Sequence, residues 1–296
     1  MNNSKRKLLL VAGGIAVASM AMSAALSPAS AQKIRFMKVV PHPFPFLIPE
    51  IGVQEGIFKK HGLELDITAT RGSAKLHQAM AADSADMGLG SGPGLGFVMR
   101  GAPEIGFLAS HGAPLNIGIL VTKNSPLYKK GMTIKDLKGA KIGVSTSSSL
   151  TYFLATRMAV NQGWGANGVT PVPLGGSSAN VAAAKAGNTD AFVNSVDTGF
   201  KLEEKGSARV FLSFGDYIKD FHTHVLYVTN KFRKKNPDAV RRFAKAWLET
   251  TKLVLADKEL MIKRAMKQLK FSRTVAEKAY RIETPAFSTT GRFSAK

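Results

Sequence analysis

Residues 71–91 (RGSAKLHQAMAADSADMGLGS) align with residues 175–195 (GGSSANVAAAKAGNTDAFVNS) at a constant offset of 104. Gly72/Gly176, Ser73/Ser177, Ala79/Ala183, Ala82/Ala186, Asp86/Asp190 and Ser91/Ser195 are identical pairs. The order of features carries more weight than these identities in small-residue sequence. Each copy reads as a Gly-Ser helix start, an Ala-rich helix, an Asp ahead of a short apolar strand, and a Ser where that strand ends. A chain that writes this unit twice is constrained to build two similar α/β bodies.

The flanking pattern agrees. Strand-like runs at 34–40, 63–69, 86–89 and 104–109 alternate with helical runs at 49–60, 73–82 and 91–100. The alternation resumes with strands at 141–145, 169–174, 191–193 and 209–214 and helices at 149–162, 177–186 and 196–205. Thr133 and Asp136 have capping-box spacing. The rhythm predicts mostly parallel sheets with helices on both faces. Strands at 116–122 and 225–229 are expected to join the two lobes. After them, Asn236 and Pro237 read as cap and first turn of a helix whose Val240, Phe243, Ala244, Trp247, Thr251 and Val254 share a face. This divides the chain into an N-terminal segment 1–31, a first lobe from 32–116 completed by 226–296, and a second lobe 117–225.

The segment 1–31 reads as a cleavable signal peptide. Lys5-Arg6-Lys7 precedes an Ala-rich apolar run from Leu8 to Leu26, and Ala29 and Ala31 supply the small residues of a cleavage site before Gln32. The run is interrupted at Gly13-Gly14, which argues against a membrane anchor. With no Cys at the first mature position, a lipid anchor through cysteine is not expected. The mature chain is therefore expected to be a soluble periplasmic monomer. The complete absence of cysteine excludes thiolate metal sites, cysteine nucleophiles and disulfides. The net charge of +21 falls to about +18 without the three N-terminal cations. Its Lys and Arg residues are dispersed and lack interleaved aromatics, which with export argues against a nucleic-acid partner. The basic surface instead favours anionic solutes at long range.

No Gly-Lys dipeptide, G-x-S-x-G or H-E-x-x-H occurs, so phosphate-loop ATPase, hydrolase-elbow and zincin chemistry are excluded. Glycines at 88, 90, 92, 94 and 96 do not meet dinucleotide-binding spacing and indicate close backbone approach. His222 and His224, two apart, have no third metal ligand near in sequence; one lining a cleft and the other facing solvent is the expectation, and no metal or other cofactor is predicted. His42 sits in VVPHPFPFLIP beside Phe44 and Phe46, either a stiff surface loop or a ligand platform beyond the first strand. Ser91, Ser147, Ser148, Ser149, Ser177, Ser178 and Ser195 all fall where a strand gives way to a helix. Singly each is a helix cap. Together they place hydroxyls, backbone N–H groups and positive helix ends on one edge of both lobes, which suits an oxyanion. Asp197 is the one acid near these loops and is a candidate for receiving an amine.

The opening strand, the Pro-rich loop and PEIGVQEGIFKKHGLELDI resemble the start of the solute-binding proteins for nitrate, sulfonates and taurine, a superfamily shared with thiamine-pyrimidine-synthase-like proteins. The resemblance continues through AMAADSADMGL, RGAPEI, TIKDLKGAKIGV, AAAKAGNTDAFV and VLYVTNKFRKKNPDAVRRFAKAWLETTKLVLAD, covering most of 34–256. It implies a type II periplasmic-binding-protein fold, two α/β lobes joined by a two-strand hinge, and delivery of a small solute to a separately encoded permease and ATPase of an ABC importer. It implies ligand contacts from the loop after the first strand (His42, Phe44, Phe46), from Ser91 and Gly92, from Ser147, Ser148 and Ser149, and from Asn194, Asp197 and His222. The chain departs from the family at FSTTGRFSAK, where relatives continue with further helix, which puts the packing of the C-terminus in question.

Two functions follow. The first is a binding protein that captures a sulfonate-, nitrate- or carboxylate-like anion or zwitterion by closing its lobes. The second is a pyrimidine-synthase-like enzyme, against which stands GDYIKDFHTH, free of cysteine where those enzymes carry a cysteine-rich segment.

Overall fold

The computed structural model describes residues 31–41 and 43–294. The proposed signal peptide, apart from Ala31, therefore lies outside the described residues, as does His42. Among the described residues no helix is long and apolar enough to cross a membrane.

Ten strands form two five-stranded sheets: β1 (Gln32–Lys38), β2 (Leu63–Ala69), β3 (Met87–Ser91), β4 (Glu104–His111), β5 (Ile117–Thr122), β6 (Lys141–Val144), β7 (Thr170–Pro173), β8 (Ala191–Ser195), β9 (Ala208–Ser213) and β10 (His224–Thr229). The first sheet has the order β2-β1-β3-β10-β4 and the second β7-β6-β8-β5-β9. The two orders are the same architecture. β1, β2 and β3 are parallel and correspond to β6, β7 and β8, while β10 and β5 run antiparallel at equivalent places. The repeat is reproduced at its offset of 104, with helices at Ser73–Ala81 and Ser177–Lys185 and strands at Met87–Ser91 and Ala191–Ser195.

Its repeated Asp has one structural task. Asp86 accepts a hydrogen bond from Arg35 N–H at 2.9 Å, and Asp190 accepts one from Lys141 N–H at 2.7 Å. Each carboxylate thus pins the neighbouring parallel strand, at the middle of β1 and at the first residue of β6. At Asp86 the Arg35 guanidinium adds an ion pair, which raises the Arg35 pKa further.

Three sequence expectations are corrected. The joining strands do not span the lobes: β5 pairs only within the second sheet and β10 only within the first, so the chain crosses in the irregular segments 112–116 and 214–223. The run 49–60 is two helices, Ile48–Gln54 and Ile57–Lys60, broken at Gly56, whose φ of 70° is incompatible with a continuous right-handed helix. Asn236 occupies the cap position of the helix Pro237–Ala256 but makes no side-chain cap.

That helix buries Ala239, Phe243, Ala246, Trp247, Thr250, Thr251 and Val254 against the first sheet and the Pro-rich region. Phe243 packs 5.4 Å from Phe36 and 6.0 Å from Trp247, centroid to centroid. The C-terminal segment continues as a strap along β4, where Ala109 N–H donates to Gly291 O and Ser288 N–H donates to Ser110 O, both at 2.9 Å, and buried Phe287 packs on His111. Truncating Trp247 to Ala opens a cavity in the first-lobe core. The expected loss is about 3–5 kcal/mol in chemical denaturation, with no effect on the second-lobe cluster, which excludes Trp247.

Candidate ligand-binding site

The carboxyl ends of the parallel strands of both sheets face a cleft holding about 620 Å³ of space outside atoms, part of it open to solvent. The first layer contributes Val39 and Val40 after β1, Phe46, Ser73 and Ser91. The second contributes Ser145, Ser149, Thr151, Gly176, Ser177, Asn180 and Asn194. Ligand sites in open α/β sheets form at such strand ends because the loops there are free of ladder constraints.

Three helices of nine, twelve and nine residues begin at this cleft: Ser73–Ala81, Leu150–Asn161 and Ser177–Lys185. Gly72 and Gly176, equivalent in the repeat, stand at the cap positions of the first and third and supply no side-chain cap. Their first N–H groups are thus left for another acceptor, and the aligned peptide dipoles put partial positive charge there. Hydroxyls complete the lining. Thr151 Oγ1 lies 2.8 Å from Ser149 Oγ and 3.1 Å from Ser145 Oγ, and Ser73 Oγ lies 3.2 Å from Ser91 Oγ. Asn194 accepts from Ser177 Oγ and Ser195 N–H through Oδ1, which leaves its amide N–H groups free to donate.

Among the described lining residues there is no Lys, Arg, Asp or Glu, and His224 is the only titratable one. The cation closest to the first strand end, Lys38, is buried and engaged by the Glu50 carboxylate and by the Pro41 and Phe46 carbonyls, each 3.2 Å away. It fixes the Pro-rich loop instead of meeting a ligand. His224 packs edge-on against Phe46 at 4.7 Å. Burial holds its imidazole neutral, with the pKa pushed down to about 3.

The candidate residues separate into groups. Phe46, Ser91, Ser149 and Asn194 come together in the cleft. The Phe44 side chain is fully buried in the first-lobe core. Ser147 and Ser148 are exposed outside the lining. Gly92 meets a neighbouring strand end: its N–H donates to Thr223 O, and a Cβ there would sit 2.0 Å from His222 O. His222 faces the C-terminal strap, its Nε2 accepting from Ser294 N–H at 3.0 Å. The cleft-lining member of the histidine pair is thus His224, and among the described residues no cluster of three or more His, Asp or Glu could hold a metal.

Asp197 is fully buried, and its carboxylate accepts from Phe44 N–H at 2.7 Å and from Thr198 N–H at 2.6 Å. Its acceptor sites are taken by the protein, and the Phe44 bond links the two layers. Burial raises its pKa. A second inter-layer contact is Gly72 against Thr146, where a Cβ would lie 2.3 Å from Cγ2. Sequence reasoning missed Ser73, Ser145, Thr151, Gly176 and Asn180 as cleft residues. Ser73 and Gly176 carried a signal, as members of the repeated Gly-Ser pairs.

Two five-stranded sheets of matched order, with a cleft at their facing strand ends, define the periplasmic-binding-protein fold. Solved structures agree. A protein from Bordetella bronchiseptica has a TM-score of 0.74 at 24% identity, covering 89% of this chain and 85% of that one. The alkanesulfonate-binding protein SsuA from Xanthomonas axonopodis pv. citri, bound to MOPS, has 0.71 at 19%, covering 89% and 87%. The periplasmic aliphatic sulphonate binding protein SsuA from Escherichia coli has 0.67 at 18%, covering 87% and 85%. The profile of the NMT1/THI5-like family matches residues 51–259, more than half of the chain, and the protein belongs to that family. No curated protein sequence matches it.

His224 stays neutral in the folded chain while an unfolded imidazole takes up a proton below about pH 6.5. Its contribution is therefore complete above that pH and is lost on acidification toward pH 3. Relative to His224→Gln, the native protein should lose up to about 1.4 kcal/mol per pH unit over this window, read as diverging melting temperatures.

Proposed function

We propose that this chain is the solute-binding component of an ABC importer, capturing a small anionic or zwitterionic organic solute between its two lobes and presenting it to a membrane permease. The observation that carries this reading is the lining itself. Three helix N-termini and a ring of hydroxyls and amides meet in a cleft free of formal charge among its described residues. Such a site offers an oxyanion many N–H and O–H donors without the desolvation cost of a buried cation. The sulfonate ligands named for the fold relatives support the same class.

In this reading the first lobe is 32–111 with 224–294, the second is 117–213, and the crossings 112–116 and 214–223 form the hinge. Phe46, Ser73, Ser91, Ser149, Ser177, Asn194 and His224 contact the solute. The segment 1–31 is the export signal, cleaved between Ala31 and Gln32, and the mature protein works as a periplasmic monomer without turning its solute over. Closure brings the lobes together and creates the surface that the permease reads.

Thermal-shift and calorimetric titration of residues 32–296 against sulfonates, carboxylates, nitrate and pyrimidines is the direct test. One class should raise the melting temperature with one-site binding; a folded protein stabilised by none of them would refute the reading. Asn194→Ala removes one amide donor, with an expected loss of about tenfold in affinity. Gly72→Val should hold the layers apart at Thr146, enlarging the radius of gyration in the liganded state by X-ray scattering and weakening binding.

A further inference from the structure

Beside the main cleft lies a smaller compartment, lined by Pro45, His111, Pro114, Asn116, Thr223 and Glu283. It shares Pro43, Ile117, Ser195 and His224 with the cleft, so the two are continuous. On the measure that gives the main cleft about 620 Å³, it holds about 270 Å³, part of it open to solvent.

Three buried polar atoms at this compartment have no protein partner: Glu283 Oε1, His111 Nε2 and His224 Nδ1. All three residues are more than nine-tenths buried. Ser110 Oγ lies 2.8 Å from His111 Nδ1 and 3.4 Å from His224 O, which fixes the His111 ring with its Nε2 turned away from Ser110. Burial, and secondarily His224 beside it, keeps His111 uncharged. Glu283 is the last residue of the helix Arg273–Glu283, so its carboxyl stands at the negative end of that helix, and burial, with Asp197 secondarily, raises its pKa well above the usual carboxylate range. The neighbouring carboxyl, Asp197, is occupied by backbone N–H groups, and the compartment's described lining includes no Lys or Arg.

The two compartments thus have opposite polarity. The main cleft gathers helix N-termini and donors, and the annex gathers a buried carboxyl without a cation partner, a helix C-terminus and two unpartnered imidazole nitrogens. We propose that the annex receives the ammonium group of a zwitterionic solute whose anionic end occupies the main cleft. An ammonium is close to water in size, carries three N–H donors, and supplies the positive charge that lets the buried Glu283 carboxyl give up its proton. The inference rests on the solute-binding reading above and assigns Glu283, His111 and His224 as the determinants that separate an amino-alkyl anion from its plain alkyl counterpart. Glu283 takes the role that sequence reasoning gave to Asp197.

The test is calorimetric titration of residues 32–296 with matched probes: homotaurine against propanesulfonate, and β-alanine against propionate. In at least one pair the amino member should bind about tenfold or more tightly. Glu283→Gln should abolish that preference while leaving the alkyl member's affinity within about threefold. Circular dichroism checks that variant's fold, and His111→Phe, which removes an unpartnered imidazole nitrogen from the annex, should reduce the preference independently. Equal binding within both pairs, or a preference that survives both substitutions, would overturn the proposal and leave the annex as the seat of an ordered water only. Binding of solutes without an amine, with none of the amino probes bound, overturns the annex assignment while sparing the solute-binding reading. Loss of all binding across the wider panel takes down both.

Discussion

β5 and β10 occupy the same antiparallel place in the two sheets, yet one opens its lobe in sequence and the other closes its lobe after the chain has returned. This exchange forces the chain to cross twice between layers, at 112–116 and 214–223, and the whole cleft depends on it. The two crossings run side by side, Thr223 Oγ1 donating to Gly112 O at 2.9 Å. The parallel strands of both sheets then end toward the same space, so the loops that follow them meet across it.

The electrostatics of that space follow from its architecture and not from the composition. A net charge of +21 suggests that an anion would be met by one of the chain's abundant cations. Instead Lys38 is consumed in a buried pair with Glu50, and the described cleft lining is uncharged. Partial charge from aligned peptides replaces formal charge. The helix ends are held rigidly by the sheets, so their N–H groups need no reorganisation on binding, whereas a Lys side chain would have to be ordered and desolvated.

Much of this was legible in the sequence because it is local. The Gly-Ser helix starts, the Asp before each short strand and the terminal Ser repeat at one offset, and the structure gives each pair the same place. Asp86 and Asp190 pin adjacent strands, Gly72 and Gly176 cap without side chains, and Ser91 and Ser195 end matching strands. Distance along the chain hid the rest. Asp197 and Phe44, 153 residues apart, meet only because the layers do. Glu283 reaches the annex from a C-terminal helix that offers no motif. His222 and His224 could not be ranked by spacing, since their fates depend on the strap carrying Ser294 and on Phe46.

The sequence by itself therefore determined a duplicated α/β chain with oxyanion-suited helix starts, since periodicity, turn residues and caps act over a few positions. Only the tertiary structure decided which of those starts face one another. It also decided that the layers cross outside the strands and that the donor-rich cleft is continuous with an annex lined by Glu283, His111 and His224. Such choices rest on contacts between residues a hundred or more positions apart, made favourable by burial that no local pattern records.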